Sequence, residues 1–257
     1  GVDSFRRHGQ PPNRHAAVPV PYGIPYRALV SKNVANLMFA GRNASCTHIA
    51  MSSTRVMGTC AVMGQAVGTA AAEAVRRGCM PADLVHRIDV VQQQLLHDDA
   101  YLPGIRQLIP PIAAAALLTV PRDDPGALRD GVHRQVGDDP HAVVMRPGEC
   151  AVYRFERPVE LQAVSLTFDT AMERSIAFRA PGWQYPLPAE MPRAFALEAE
   201  SGGVWRTVFE ETDNWQRHRV IRCAGRAAAL RYTLRATYGA EASRLYGFLP
   251  NPGAVSP

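Results

Sequence analysis

The sequence predicts a two-part chain: an α/β part over residues 1–110 and an all-β sandwich over residues 111–257. Three observations carry this. Leu37-Met38-Phe39-Ala40 is an apolar run stopped by Gly41, as expected of a short strand covered on both faces, and a long helix of small residues follows it. Helical spacing then fades at the breakers Pro103-Gly104 and Pro110-Pro111. Beyond them strand alternation takes over, most clearly at Leu230, Tyr232, Leu234, Ala236 and Tyr238 on one face, with Arg231, Thr233, Arg235 and Thr237 on the other. A length of 257 residues makes two domains the prior expectation.

The elements follow in order. Residues 1–21 are polar and proline-rich, and read either as a disordered arm or as a segment returning to the first domain. Ile24-Pro25 fixes an extended conformation ahead of a short strand, Ala28-Leu29-Val30. A turn at residues 33–36 leads into the strand at Leu37. After a polar loop, residues 59–77 become helical. Met57, Ala61, Gly64, Gly68, Ala71 and Val75 form one stripe, and Gln65, Thr69, Glu73 and Arg76 the opposite one. A glycine inside a helix costs about 1 kcal/mol relative to alanine. Two on one face therefore predict a backbone or a flat ligand lying against that stripe. Arg76-Arg77 suit the negative end of the helix dipole, Gly78 is the expected C-cap, and Pro81 prevents continuation.

At the other end, Ser52-Ser53-Thr54 and Thr59 offer N-caps, and no carboxylate lies between Gly41 and Glu73. A helix start without its own acid presents free N–H groups to a partial negative charge on a ligand. Residues 82–87 read as one helical turn. Asp89 with Gln92 reads as a capping-box start to a helix ending near His97, with Leu95 and Leu96 inward and Asp98-Asp99 as a solvated end. Strand candidates then cover residues 151–155, 161–168, 194–200, 204–210, 219–223, 227–238 and 244–248, enough for a sandwich.

Composition excludes several classes. The net charge of +5 rests on scattered arginines; Lys32 is the sole lysine and no run of five basic residues occurs, which argues against nucleic acid. The longest apolar run, residues 112–118, is far short of the ~20 residues that span a bilayer. Cys46, Cys60, Cys79, Cys150 and Cys223 lack CxxC or zinc spacing, so free thiols in a reducing, cytoplasmic compartment are expected and no metal site. The carboxylate pairs Asp123-Asp124 and Asp138-Asp139 read as surface turns rather than a calcium loop.

Tyr22-Gly23-Ile24-Pro25-Tyr26-Arg27, Asn36-Leu37, Ala40-Gly41-Arg42, Ser45, Thr47-His48, Arg55-Val56-Met57, Thr59-Cys60 and Met63-Gly64-Gln65-Ala66 through Ala71 form a dense, ordered set. It resembles the C-terminal half of a family of bacterial FAD-dependent oxidoreductases with a glutathione-reductase-type flavin domain. The resemblance covers roughly residues 22–78 and says nothing of the substrate. It implies the C-terminal portion of a Rossmann-like α/β domain, FAD as cofactor, and a small-molecule substrate. It places Tyr26, Arg27, Gly41, Arg42, Ser45, Arg55, Val56, Met57, Gly58, Thr59 and Cys60 around the cofactor, with the helix start aimed at the pyrimidine edge of the flavin ring. Positive dipole there would stabilise charge on reduced flavin.

Within that frame His48 would remove a hydroxyl proton while hydride leaves the adjacent carbon, or would only hydrogen-bond the cofactor or a loop carbonyl. Arg42 and Arg55 are cofactor or substrate contacts, or structural ion pairs. Tyr26 and Arg27 are cofactor neighbours, or a packed aromatic and a surface arginine. Cys46 and Cys60, fourteen apart, do not have the spacing of a disulfide reductase. A strand–GxGxxG–helix unit for the ADP pyrophosphate is not found, and the sequence starts at Gly1, so the chain is expected to be the later part of a longer protein.

A looser resemblance joins Ala127-Leu128-Arg129-Asp130-Gly131, residues 164–169 and residues 205–208 to the galactose-binding-like jelly roll. It implies architecture more than sugar binding. Of Trp183, Trp205 and Trp215, Trp183 is flanked by Pro181-Gly182 and Pro186 and is the expected sugar-stacking residue. Two functions follow: an FAD-dependent oxidoreductase fragment moving hydride from a hydroxylated or carbohydrate-like substrate, or a carbohydrate-binding or interaction module with a vestigial flavin half.

Overall fold

The structure, a computed structural model, describes residues 21–171 and 187–252, together with the backbone of residues 2–3 and 14–15. The rest of the N-terminal arm and Trp183 lie outside the described residues. The chain divides into two compact units, Gly1–Ile105 and Arg106–Pro257. The division precedes residue 110 because the backbone N–H of Gln107 already donates to Gly131 O (3.0 Å) and the Arg106 guanidinium to Asp130 O (2.9 Å).

In the first unit, β1 (Val2–Asp3) and β2 (Arg14–His15) pair antiparallel. The expected strand at Ala28-Leu29-Val30 is instead a 3-10 helix, Tyr26–Leu29, followed by an isolated antiparallel bridge from Val30 to Met38. The expected central strand at Leu37 shrinks to that bridge plus Ser31 N–H to Leu37 O (2.9 Å) and Phe39 N–H to Leu29 O (2.8 Å). Leu37 is exposed. An apolar run becomes a strand only if neighbours take up its backbone groups, and among the described residues no parallel strand flanks it.

The polar loop contains a helix that the sequence did not announce, α1 (His48–Thr54), whose cap is Thr47, with Oγ1 accepting from Ala50 N–H (3.3 Å). Next, α2 (Met57–Arg77) ends at Gly78 with φ 61°, the left-handed cap that glycine favours. A 3-10 turn, Pro81–Arg87, runs directly into α3 (Ile88–His97), so Asp89 sits inside the first turn and makes no capping bond. Ala70 and Ala74 of α2 pack with Leu84, Val91 and Leu95 to form the core of this unit.

The packed face of α2 is not the expected one. Met63, Ala70, Glu73 and Ala74 are buried, whereas Met57, Ala61, Gly64, Gly68, Ala71 and Val75 are exposed. A Cβ on Gly64 or Gly68 would meet nothing within 4 Å. A helix of small residues all round has no single apolar stripe to read; Val91 and Leu95 of α3 select the face they cover. Glu73 tolerates burial because Arg76 and Arg77, one turn on, both bond its carboxylate.

The second unit opens with α4 (Pro111–Ala115) and continues as strands: β3 (Leu117–Thr119), β4 (Val143–Met145), β5 (Cys150–Phe168), β6 (Pro192–Ser201), β7 (Val204–Glu211), β8 (His218–Thr237) and β9 (Ser243–Pro250). Their order is β4-β9-β5-β8-β6-β7, with β3 on β5, and every pairing is antiparallel.

Four sequence segments merge into two long strands, β5 and β8. Register shifts at Arg154/Val159 and Leu161/Ala163 bend this pair midway. The first half of β5 pairs with β3, and the second half with β9. Rings close the space between the layers: Phe168 lies 5.1 Å from Phe195, and Phe248 lies 5.1 Å from Tyr153 and 6.1 Å from Tyr232. The Tyr153 hydroxyl donates to Phe248 O (2.9 Å) inside this core. The result is a β-sandwich, with Leu230, Tyr232 and Leu234 buried as their alternation requires.

Outside the core, Arg231 bridges β8 to β6 with two 2.8 Å bonds to the Glu198 carboxylate, which that guanidinium holds below the usual carboxylate range. Glu211 is likewise held low, chiefly by the Asp213 N–H and also by Arg219. A depressed folded-state pKa stabilises above the unfolded value and is lost as pH falls through the folded one. Glu198→Gln is therefore expected to lower stability at neutral pH and to flatten its decline below about pH 4.5, as read by urea midpoints across an acid series.

Candidate functional site

In the first unit the chain turns sharply between α1 and α2. Arg55 N–H donates to Met51 O (3.3 Å) and closes α1. Val56 is extended, with φ −73° and ψ 149°, and starts α2 without any side-chain cap. The first helical bond is Cys60 N–H to Val56 O (2.9 Å), so the N–H groups of Met57, Gly58 and Thr59 precede the intrahelical ladder. No acid stands in this first turn. Two of the capping candidates read from the sequence serve α1 instead: Thr54 Oγ1 donates to Ala50 O (3.2 Å) and Ser52 Oγ to Ile49 O (2.7 Å).

A cavity of about 420 Å³ lies along the first turns of α2. Its walls are residues 21–24, residues 53–66 in part, and residues 101–103, with Leu29. None of the lining residues is charged. Val56, Gly58 and Thr59 bring the helix start into it, Val62 and Met63 continue the wall, and Tyr22, Ser53, Thr59 and Tyr101 supply hydroxyls. A Cβ added at Gly58 would meet nothing within 4 Å, so a side chain there would project into open space. An uncapped helix start, an uncharged apolar wall and a few hydroxyls suit a neutral ring system that carries carbonyl oxygens. The flavin ring is of that kind, so the residues present fit it.

The structure gathers only some of the residues singled out by sequence. Val56, Gly58 and Thr59 line the cavity. Gly41, at φ 96°, packs against Cys60: a Cβ there would lie 3.8 Å from both Cβ and Sγ of Cys60. Cys60 Sγ contacts Thr54 O and Cys46 Sγ contacts Thr54 Oγ1, each at 3.9 Å, so the two thiols share one neighbour. All five cysteines are free. Tyr26 packs on the unit core and its hydroxyl donates to Pro81 O (2.7 Å); burial pushes the phenol up, with Cys79 adding to it.

Ser45 N–H donates to Ala28 O (2.9 Å), holding that loop on the 3-10 helix. Arg27, Arg42, Ser45, Arg55 and Met57 are exposed and stand outside the cavity lining. His48 is the first residue of α1, also exposed and outside the lining, on the helix that contributes Ser53. Sequence reasoning passed over Tyr22, Ser53 and Tyr101 as cavity residues. Tyr22 belonged to the dense run before Arg27, but Tyr101 sits among breakers and carries no local signal.

In the second unit, a cavity of about 760 Å³ is lined by Asp123, Asp124, Asp130, Asp139, His141 and Arg129, among others. Its carboxylates already serve the fold. His141 is buried with Nδ1 on the Asp130 carboxylate and Nε2 3.6 Å from Asp139. Asp123 accepts from Val144 N–H (2.9 Å) and Asp124 from Gly126 N–H (2.8 Å). Among the described residues no group of three or more His, Cys, Asp or Glu could hold a metal ion. Trp205 is covered by Arg231, whose guanidinium carbon lies 4.3 Å from the ring centroid. Trp215, in the β7–β8 turn, is 69% exposed.

Among the described residues no helix is long and apolar enough to cross a membrane. No curated protein matches the chain. Among solved structures, it is similar to the family 32 carbohydrate-binding module from Streptococcus pneumoniae EndoD (14% identity, 56% of this chain and 97% of that one, TM-score 0.42). It is also similar to GH31 CBM32-2 bound to GalNAc (10% identity, 52% and 97%, TM-score 0.41) and to CpGH89CBM32-6 of Clostridium perfringens (11% identity, 54% and 94%, TM-score 0.36). Residues 1–95, which hold α1, α2 and most of α3, match the family model of the FAD dependent oxidoreductases, and FAD is the cofactor that this match supports.

Proposed function

We propose that the first unit forms part of the flavin site of an FAD-dependent oxidoreductase that moves a hydride from a hydroxylated or carbohydrate-like organic substrate to flavin. The single observation that carries this is the uncharged cavity beside the uncapped start of α2, inside the segment that matches an FAD dependent family. Bound flavin supplies the hydride acceptor. The N–H groups of Met57, Gly58 and Thr59 would hold the polar edge of the ring, and Val62 and Met63 would exclude water from its apolar part. Gly41, packed on Cys60, would keep the loop of Arg42 and Ser45 next to the helix start. Arg42 and Arg55, both exposed, would meet the ribityl–phosphate part or a substrate anion. His48 would take the hydroxyl proton, with Tyr26 and Arg27 at the margin of the site. This reading places the protein in the cytoplasm, where five free thiols are stable.

The test is the full-length protein. It is expected to purify with flavin absorbance, and Gly58→Val is expected to lose most of it, because the added side chain enters the ring's space and not a packed core. A colourless wild-type preparation that takes up no FAD would refute the assignment.

A second reading gives the sandwich a carbohydrate-binding role. Its support is Trp215, an exposed ring at a turn beside Asp213, which accepts from the Tyr238 hydroxyl (3.0 Å). Removing a stacking tryptophan costs about 2 kcal/mol of binding or more when the ring is a hot spot. Trp215→Ala is therefore expected to abolish retention on a glycan array while leaving thermal stability within about 0.5 kcal/mol. A wild-type chain that binds no glycan would leave the sandwich an architectural appendage.

A further inference from the structure

We propose that Tyr22 and Ser53 form a latch on the α2 cavity, in which the Tyr22 ring stacks on one face of the bound flavin ring. The inference rests on the flavin reading above and names a positioning residue that the reading lacks. Tyr22 donates its hydroxyl to Ser53 Oγ at 2.6 Å, and both residues line the cavity. The bond joins two separate walls, the extended segment before Pro25 and the last turn of α1.

Tyr22 remains 44% exposed although its hydroxyl is tied down. An aromatic ring held by one edge, with that much surface open, has contact area still to give and little rotamer freedom left to lose on binding. Tyr101, the other tyrosine of the lining, is less exposed. The lining carries no charge that would draw a charged group into the space beside the ring.

The consequence is optical as well as energetic. A tyrosine in van der Waals contact with a flavin quenches its fluorescence by electron donation; phenylalanine does so poorly, and tryptophan does so well. The experiment compares the full-length protein with Tyr22→Phe, Tyr22→Trp, Ser53→Ala and the double variant Tyr22→Phe/Ser53→Ala, measuring FAD affinity and the emission yield of bound FAD. Without the bond the ring must be ordered on binding, so FAD should bind about two- to tenfold more weakly in Tyr22→Phe and equally in Ser53→Ala. The double variant should be no weaker than either single one, because one bond is removed in all three. Bound FAD should brighten several-fold in Tyr22→Phe and stay dark in Tyr22→Trp.

A ring with a merely structural role would make tryptophan at least as disruptive as phenylalanine and would leave the emission unmoved. Equal emission from wild type and Tyr22→Phe, or additive affinity losses in the double variant, would overturn the latch alone. A wild-type protein that binds no FAD would overturn the flavin reading and the latch with it.

Discussion

Replacing His48 by glutamine is expected to lower turnover of the organic substrate by roughly 10²- to 10⁴-fold while FAD content stays at the wild-type level. Glutamine keeps a hydrogen-bonding group at the same place but accepts no proton at neutral pH. The variant therefore separates the two roles open to this histidine. If His48 only anchors the cofactor or a loop carbonyl, activity changes little and flavin affinity carries the effect. The geometry sets the scale of the site. His48 begins α1 and Ser53, near its end, lines the cavity. At 1.5 Å of rise per residue the two are separated by about 8 Å along the helix axis. In the proposed reading His48 would act on a substrate beside the ring and not on the ring itself, since it stands outside the cavity lining. Stopped-flow flavin reduction would give the comparison directly, since it isolates the step in which the proton and hydride leave.

Gly131→Ala is expected to destabilise the sandwich by about 4 kcal/mol, a large share of the roughly 5–15 kcal/mol that holds a domain folded. Two costs combine. Gly131 has φ +80°, where a Cβ costs about 1–2 kcal/mol. The added Cβ would also lie 2.4 Å from Gln107 O and 2.9 Å from Gln107 N, both backbone atoms that cannot rotate aside. The same contact carries the Gln107 N–H to Gly131 O bond, so relief by movement would break it. Gly137→Ala is the control: φ is +58° but nothing lies within 4 Å of its Cβ position, so only the backbone strain should appear. Urea midpoints of the two variants would read the difference; equal losses would refute the close-approach explanation.

Asp130-Gly131 shows how much of the second unit was legible beforehand. The pair stood out within Ala127-Leu128-Arg129-Asp130-Gly131 as an architectural motif, and its physical content is now plain. Asp130 takes the His141 ring and the Val132 N–H, and Gly131 admits the backbone of Gln107. The longer strands of the sandwich were legible too, because alternation such as that over Leu230, Tyr232 and Leu234 is a local, period-two property, but the three-residue strands β3 and β4 are too short to show one. That residues 151–155 and 161–168 form one strand was not legible. Their joining depends on what β8, β3 and β9 offer across the ladder.

The sequence by itself determined where α2 ends, because Gly78 after Arg76-Arg77 is a local signal, and that its start would carry no acid. It also determined the buried face of β8 over Leu230, Tyr232 and Leu234. Only the tertiary structure decided which face of α2 is packed, since small residues surround that helix and the choice belongs to Val91 and Leu95 of α3. It likewise decided that Leu37-Met38-Phe39-Ala40 makes a bridge and not a strand, and that Tyr22, Ser53 and Tyr101 meet at one cavity. The reason is the same in each case. Periodicity and capping depend on neighbours a few residues away and are written along the chain, whereas burial and convergence depend on partners far off in sequence, which no local pattern encodes.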